Sequence, residues 1–180
     1  MTRSKDLRRK EPVPGDDGDA VGLFEMLYRD HDKIRDLFCA VQQTEKTHVA
    51  ARKERFTVLE QELLFHMEAE ERFFFTALEQ REETRSEALL GFEEHLVART
   101  LIATFTSLAV DDERWSAKFK VLGHLVGHHL EEEEQVLFVA ARLVLDQEQL
   151  RRIYQKMQEL KNDPRVPEGA LRSTDAKDTR

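Results

Sequence analysis

The chain has little of what sheet-rich, secreted or membrane proteins need. Its single cysteine, Cys39, excludes an intramolecular disulfide, so we expect a reducing, cytoplasmic compartment. With 7 glycines and 4 prolines, the sequence offers few turn positions, which favours long helices over strands. No apolar run approaches the roughly 18 residues of a membrane span, and the basic start lacks the apolar stretch of a signal peptide. We therefore expect no membrane contact.

Basic residues are also in the minority. The 28 lysines and arginines face 36 aspartates and glutamates, which gives a net charge of -8. This balance argues against nucleic acid as a partner, because phosphate binding needs a basic surface. Apolar residues make up 40% of the 180 residues, enough for one globular domain with a substantial core. Small molecules, ions or proteins remain as binding partners.

Apolar residues recur every three or four positions along most of the chain, which predicts an all-α fold. The pattern gives four long helices at about 20–43, 47–80, 86–110 and 112–145, joined by short links. Four such helices are typical of an up-down-up-down four-helix bundle. A shorter fifth helix follows, and we expect it to lie across one end of the bundle.

Short polar residues mark the expected helix starts. Asp146, with Gln149 three places on, predicts a capping box for the fifth helix. The other predicted N-caps are Asp19, Thr47, Ser86 and either Asp111 or Asp112.

The chain ends differ in composition from the helical region. Residues 1–18 combine charge with proline and glycine, and we expect a disordered tail there. Residues 162–180 turn to proline and charge and are predicted to be disordered as well. A single domain at 19–161 lies between them.

The sequence contains an internal repeat that carries its histidines. Residues 63–75 align with residues 126–138, and this register is better than its neighbours. It pairs His66 with His129, Glu68 with Glu131, Glu70 with Glu133, Glu71 with Glu134 and Phe75 with Phe138. A similar offset places His31 over His95 and Arg35 over Arg99. The first two helices thus resemble the next two, and each long helix offers one histidine to a shared centre.

The spacing His-x-x-x-Glu in helices two and four places both side chains on one helix face, roughly 6 Å apart along the axis. On a helical wheel, that face is otherwise apolar. Beside His66 lie Leu59, Leu63, Glu70, Phe73 and Ala77, and beside His129 lie Leu122, Leu125, Val126, Glu133, Val136 and Ala140. We therefore expect both pairs to point inward.

The other histidines divide into two sets. His31 lies among phenylalanines and leucines and is expected to face inward, as is His95, although Arg99 weakens the apolar face of its helix. His124 and His128 share the polar side of helix four and are expected to be solvated or to lie just outside the site. His48, near the start of helix two, is predicted to lie on the surface.

This combination of side chains predicts a metal site. An unpartnered carboxylate on an apolar face would cost several kcal/mol, so Glu70 and Glu133 need a cation. Imidazole with carboxylate is a ligand set for iron, manganese or zinc, and a carboxylate can bridge two ions about 3.5 to 4 Å apart. Four histidines and two glutamates suit a pair of metals, with the ligands His31, His66, Glu70, His95, His129 and Glu133.

These residues resemble the hemerythrin family, specifically the short bacterial HHE cation-binding domains. The strings HMEAEERFFF and HLEEEEQVLF are similar to that family's repeated histidine, acid and aromatic signature. The resemblance covers about 20–160 and implies a four-helix bundle enclosing a centre of two non-haem iron ions. By it, the four histidines are terminal ligands, and Glu70 and Glu133 bridge the ions.

The chain departs from the oxygen-carrying hemerythrins at two ligand positions. They have a second histidine one turn after the first on the third helix, where this chain has Arg99. They end with an aspartate five places after the last histidine, whereas Glu133 follows His129 by four. These features resemble the shorter HHE type. Glu62, Tyr28 or water are the candidates to fill the remaining position.

Three functions are compatible with the sequence. The favoured one is a di-iron protein that binds or senses oxygen, nitric oxide or a related small ligand. The second is a di-iron enzyme that consumes peroxide or another reactive species, with Tyr28 as the candidate residue beside the metals. The third is a metal-free helical module that acts through a protein partner.

Overall fold

The computed structural model describes residues 22–163, and in this part of the chain all regular secondary structure is helical. It forms five helices. Helix α1 is Leu23–Gln43, and α2 runs from Val49–Ala69 through a π-helical segment, Glu70–Phe75, to Thr76–Glu79. Helix α3 is Arg85–Ala103, followed by a 3₁₀ turn at Thr104–Ser107. Helix α4 runs from Glu113–Glu132 through a π-helical segment, Glu133–Leu137, to Phe138–Val144, and α5 is Gln147–Lys161.

The predicted helices are confirmed, but two predicted caps are wrong. Helix α2 begins after His48 rather than Thr47, and α3 begins after Thr84 rather than Ser86. The hydroxyl of Thr84 donates to the carbonyl of Leu78 at 2.8 Å, so this buried residue closes the turn between α2 and α3. The sequence pattern alone does not distinguish that role from capping at Ser86.

Two helix starts follow the prediction. Asp112 accepts a hydrogen bond from the Arg114 backbone at 2.7 Å. Asp146 and Gln149 form the predicted capping box, each side chain meeting the other residue's backbone N–H. The predicted cap Asp19 and the predicted tails lie outside the described residues, apart from Asn162 and Asp163 at the end of α5.

The two π-helical segments shift the buried face by one residue. The wheel places Phe73 and Ala77 inward, but the structure buries Phe74 and Leu78 completely and leaves the first two half-buried. In α4, Val136 and Ala140 were expected inward, whereas the structure buries Leu137 and Ala141. A π-turn takes one more residue than an α-turn, so every later inward position moves along by one.

The interior consists of two apolar clusters separated by the predicted site. One cluster, at the α5 end, includes Phe24, Phe74 and Phe138. The other, at the far end, includes Phe56 and Trp115. Along α1 and α3, the inward histidine falls between the residues of the two clusters, and along α2 and α4 it lies at the inner edge of the far cluster, next to Met67 and Leu130. The site is therefore a polar layer sealed above and below by apolar packing.

Helix pairs follow the repeat. Helix α1 packs on α2 and α3 packs on α4, while α5 lies against α1 and the π-helical segment of α2. In α3, Leu89 and Leu96 belong to the apolar pattern, but about half of each side chain is exposed. Within residues 22–163, none of the helices is both long and apolar enough to cross a membrane.

Candidate metal centre

The structure brings the six predicted residues together in the polar layer. All six are buried, with exposures between 0% for Glu70 and 5% for His129. The four histidines come from the four long helices, and each glutamate follows its histidine by one helical turn. Both π-helical segments begin at these glutamates, so the wider turns lie at the site itself.

One group of candidate ligand atoms joins α1, α2 and α4. It consists of His31, His66, Glu70 and Glu133, whose nearest ligand atoms all lie within 4.8 Å of one another. Nε2 of His31 is 3.2 Å from Glu133 Oε2 and 3.8 Å from Glu70 Oε1. Nε2 of His66 is 3.2 Å from Glu70 Oε2. These distances leave room for an ion between the nitrogens and the carboxylates.

A second group joins α2, α3 and α4. Glu70, His95 and His129 again offer ligand atoms within 4.8 Å of one another. The Nε2 atoms of the two histidines are 2.9 Å apart, and His95 Nε2 is 3.6 Å from Glu70 Oε2. Glu70 belongs to both groups, and Glu133 Oε2 is 3.6 Å from His129 Nε2 as well as close to His31. Both carboxylates thus lie between the groups.

Hydrogen bonds at the outer ring nitrogens, Nδ1, fix the tautomers of three imidazoles. Nδ1 of His31, His95 and His129 each meets a carboxylate, at 2.8, 3.0 and 2.7 Å. An ionised carboxylate can only accept a hydrogen bond, so Nδ1 carries the hydrogen and donates it, and Nε2 presents a lone pair inward. These lone pairs face each other and the oxygens of Glu70 and Glu133. Only a cation or extra protons make such an arrangement stable.

Unsatisfied atoms support this interpretation. Among the described residues, both carboxylate oxygens of Glu70 and Glu133 lack a hydrogen-bond partner, as do Nε2 of His31 and both ring nitrogens of His66. A buried polar group without a partner costs about 1 to 3 kcal/mol, and more if it is charged. Their concentration at one point, in an otherwise apolar interior, fits a donor set for metal ions.

Two equivalent hydrogen-bonded chains, each of an arginine, a glutamate and a histidine, surround the buried cluster. On one side, Arg35 donates to Glu134 Oε1 at 2.8 Å, and the same oxygen meets His31 Nδ1. On the other side, Arg99 donates to Glu71 Oε2 at 3.0 Å, and Glu71 Oε1 meets His95 Nδ1.

Arg99 therefore has a clear place in the structure. It stands where the oxygen-carrying hemerythrins have a histidine, but it binds a carboxylate that orients His95. Glu71, Glu134 and the two arginines were not among the residues predicted from the sequence to be functional. The signal was present, since each belongs to a matched pair of the repeat.

The two halves differ at their remaining histidines. Glu94 Oε2 holds Nδ1 of His129 at 2.7 Å. Its repeat counterpart, Asp30, has a side chain shorter by one methylene and instead binds Lys161 of α5 at 2.5 and 2.6 Å. Within the described residues, Nδ1 of His66 consequently has no hydrogen-bond partner. The two candidate ion positions are thus chemically unequal.

In the absence of a metal, burial and the charges within the cluster shift the pKa values of its glutamates and histidines. Burial and then the charge of Glu133 raise the pKa of Glu70 to about 8. Burial opposes ionisation of Glu133, but the charge of His129 and the contact with His31 outweigh it and lower its pKa. Burial also opposes charge on His31, yet its contacts with Glu133 and Glu134 raise its pKa well above the usual value. Protons on these groups take the place of a cation.

Phenylalanine rings pack against the buried histidines on their apolar side. Phe75 lies 5.0 Å from the His95 ring, and its repeat partner Phe138 lies 5.5 Å from the His31 ring. The close approach of α3 depends on Gly91, because a Cβ atom there would lie 2.8 Å from the Phe75 ring. Tyr28 packs edge-on against Phe138 at 5.3 Å, one ring away from His31.

The remaining candidates lie away from the buried centre. Glu62 forms an ion pair with Lys33 at 2.6 Å. His48, His124 and His128 are exposed, as expected. Cys39, the single cysteine, is half-buried.

The outer carboxylates yield a first prediction. Replacing Glu134 with glutamine removes the anion that orients His31 and keeps the proton on its Nδ1. Loss of such a partner typically weakens metal binding by roughly 10- to 100-fold. Metal affinity measured by competition with a chelator should fall by this amount. The same change at the exposed Glu131, one turn away, should leave affinity within about twofold, and an equal loss in both variants would contradict a specific role for Glu134.

The helical bundle and its buried cluster of imidazoles and carboxylates define the class, a helical protein with a candidate metal centre. The sequence matches the hemerythrin HHE cation-binding domain over residues 22–141. The chain therefore belongs to the hemerythrin HHE family. No curated protein and no solved structure gives a significant match to it.

Proposed function

We propose that the chain holds two non-haem iron ions in an up-down-up-down four-helix bundle and binds or senses oxygen, nitric oxide or a related small ligand. His31 and His66 would hold one ion and His95 and His129 the other. The observation that carries this proposal is the inward ring of lone pairs and unpartnered carboxylate oxygens. Glu70 and Glu133, which lie between the two ligand groups, would be the bridging carboxylates.

The protein's own residues would control access and geometry. Glu71, Glu94 and Glu134 fix the tautomer and orientation of three imidazoles. Phe75 and Phe138 keep water from the ligand rings. A bound iron pair would supply electrons and an open coordination position for a small molecule. Position 99, which is a histidine in the oxygen-carrying hemerythrins, would contribute no metal ligand here, because Arg99 is bound to Glu71.

The test is metal analysis followed by spectroscopy of the reduced protein. Protein purified without chelator should contain about two iron ions per chain, held as a pair. Anaerobic reduced protein should change its ultraviolet and visible absorption on addition of oxygen or nitric oxide, and the change should saturate. Less than about one iron per chain without oxo-iron absorption would overturn the proposal and favour the metal-free module. Sustained peroxide turnover that Tyr28→Phe abolishes would favour the enzyme.

A further inference from the structure

A second cluster of metal-binding side chains lies on the surface between α3 and α4. It consists of Glu94, His128 and Glu132, whose ligand atoms lie within 4.8 Å of one another. Nε2 of His128 is 3.5 Å from Glu132 Oε1, and both side chains are substantially exposed. One imidazole with two carboxylates is a suitable donor set for a divalent first-row metal.

This cluster lies at a cavity that reaches the buried centre. The cavity has a volume of about 220 Å³, and Glu94 and Glu132 line it together with the buried ligands His129 and Glu133. Glu133 is 3% exposed, and neither of its oxygens has a hydrogen-bond partner among the described residues. The buried carboxylate of Glu133, which has no hydrogen-bond partner, therefore lines the same cavity as Glu94 and Glu132 of the surface cluster.

The charge of the cavity indicates what it admits. Four of the residues lining it are glutamates, Glu87, Glu94, Glu132 and Glu133, and residues 22–163 contribute no lysine or arginine to the lining. Such a lining repels anions, does little for a neutral gas and concentrates divalent cations. The chain as a whole carries a net charge of -8, which adds to the attraction.

We propose that Glu94, His128 and Glu132 form a third, weaker cation site through which divalent metal enters the buried centre. This inference rests on the proposed function, because it assigns a route to the same metal pair. Glu94 connects the two places, since its Oε2 also holds His129 Nδ1. The charged and polar side chains that line the way inward are carboxylates and the imidazole of His129, and the rest of the described lining is Gly91 and apolar side chains.

The test variant is His128→Asn combined with Glu132→Gln, which leaves the six buried ligands and Glu94 unchanged. The matched control is His124→Asn with Glu131→Gln, because it makes the same chemical changes at exposed positions of the same helix. The full-length chain, stripped of metal, is mixed anaerobically with ferrous ion. Ions still free at each time are trapped with a colorimetric chelator.

We expect the test variant to take up iron roughly five- to tenfold more slowly than wild type and control at low metal concentration, with the same final content. Equal rates in all three proteins would overturn the loading route while leaving the proposed function intact. Uptake by none of them would overturn both.

A second measurement detects the site directly. In protein whose buried centre is already filled with zinc, titration with Mn²⁺ followed by electron paramagnetic resonance should show a weak additional site in wild type and control. The test variant should lack it. Absence of this site from wild type, or its persistence in the test variant, would overturn the assignment of Glu94, His128 and Glu132.

Discussion

Replacing Glu70 and Glu133 together with glutamine is expected to abolish metal binding and with it the metal-dependent part of the stability. Glutamine keeps the shape of each side chain but carries no negative charge. The four imidazoles are neutral ligands, so without the two carboxylates the positive charge of a bound cation would not be balanced. A ligand present at a thousandfold excess over its dissociation constant stabilises the native state by about 4 kcal/mol. Urea unfolding of wild type should show at least this difference between metal-loaded and chelator-treated protein.

The metal-free forms should differ much less in stability. Without metal, burial and the charge of Glu133 raise the pKa of Glu70 to about 8, so Glu70→Gln replaces a side chain whose charge is already disfavoured. Glu133→Gln removes a charge that His129 and His31 favour. The two effects oppose each other, so the chelator-treated double variant should be close in stability to chelator-treated wild type. A general folding defect would lower both forms, which distinguishes it from specific loss of the ligands.

The repeat provides a matched control. Glu68→Gln with Glu131→Gln removes the same two charges at paired positions two residues before each ligand. This variant should retain metal and respond to chelator as wild type does. Metal retained by the Glu70 and Glu133 variant, or a wild-type stability indifferent to chelator, would contradict the bridging role.

The sequence was sufficient to predict the members of the buried cluster. Their types, their spacing and their duplication point to one place, because inward histidines on four helices of a repeated pair must converge near its symmetry axis. The structure brings His31, His66, His95 and His129 to that layer together with both glutamates. Their function as ligands of two iron ions stays a proposal.

The outer partners could not be predicted in the same way. Glu71 and Glu134 each follow an inward glutamate directly, and a helical wheel places such a residue about 100° away from it. Their contacts with His95 and His31 depend on how the facing helices approach and on the arginines that hold the carboxylates. The repeat marks these positions as paired, but only the packing shows what they touch.

The shift of the buried face has a simpler cause. A wheel drawn with 3.6 residues per turn is correct up to Glu70 in α2 and up to Glu133 in α4, where the π-helical segments begin. Beyond these points every predicted inward residue is one position too early. The sequence pattern does not reveal this change of period, because polar residues of the candidate site interrupt the apolar pattern at the same positions.

Phe74→Ala is expected to be much more destabilising than Phe73→Ala, because of this shift. Phe74 is fully buried and its ring lies 6.3 Å from that of Phe24 and 5.7 Å from that of Phe138. Truncating a buried phenylalanine leaves a cavity in the core and typically costs 3 to 5 kcal/mol, so we expect a loss of about 4 kcal/mol. Phe73 is half-buried at the edge of the same cluster, and its truncation should cost about 1 kcal/mol.

The two variants differ by one position in the sequence and remove the same atoms, so each serves as the control for the other. Urea unfolding at identical metal loading measures both. A regular α-helix through this segment would place Phe73 inward and reverse the order of the two costs, whereas the π-helical segment at Glu70–Phe75 requires Phe74 to be the costlier site. Equal losses would contradict the one-residue shift of the buried face, and a larger loss for Phe73→Ala would show that α2 keeps its α-helical period through the candidate metal centre.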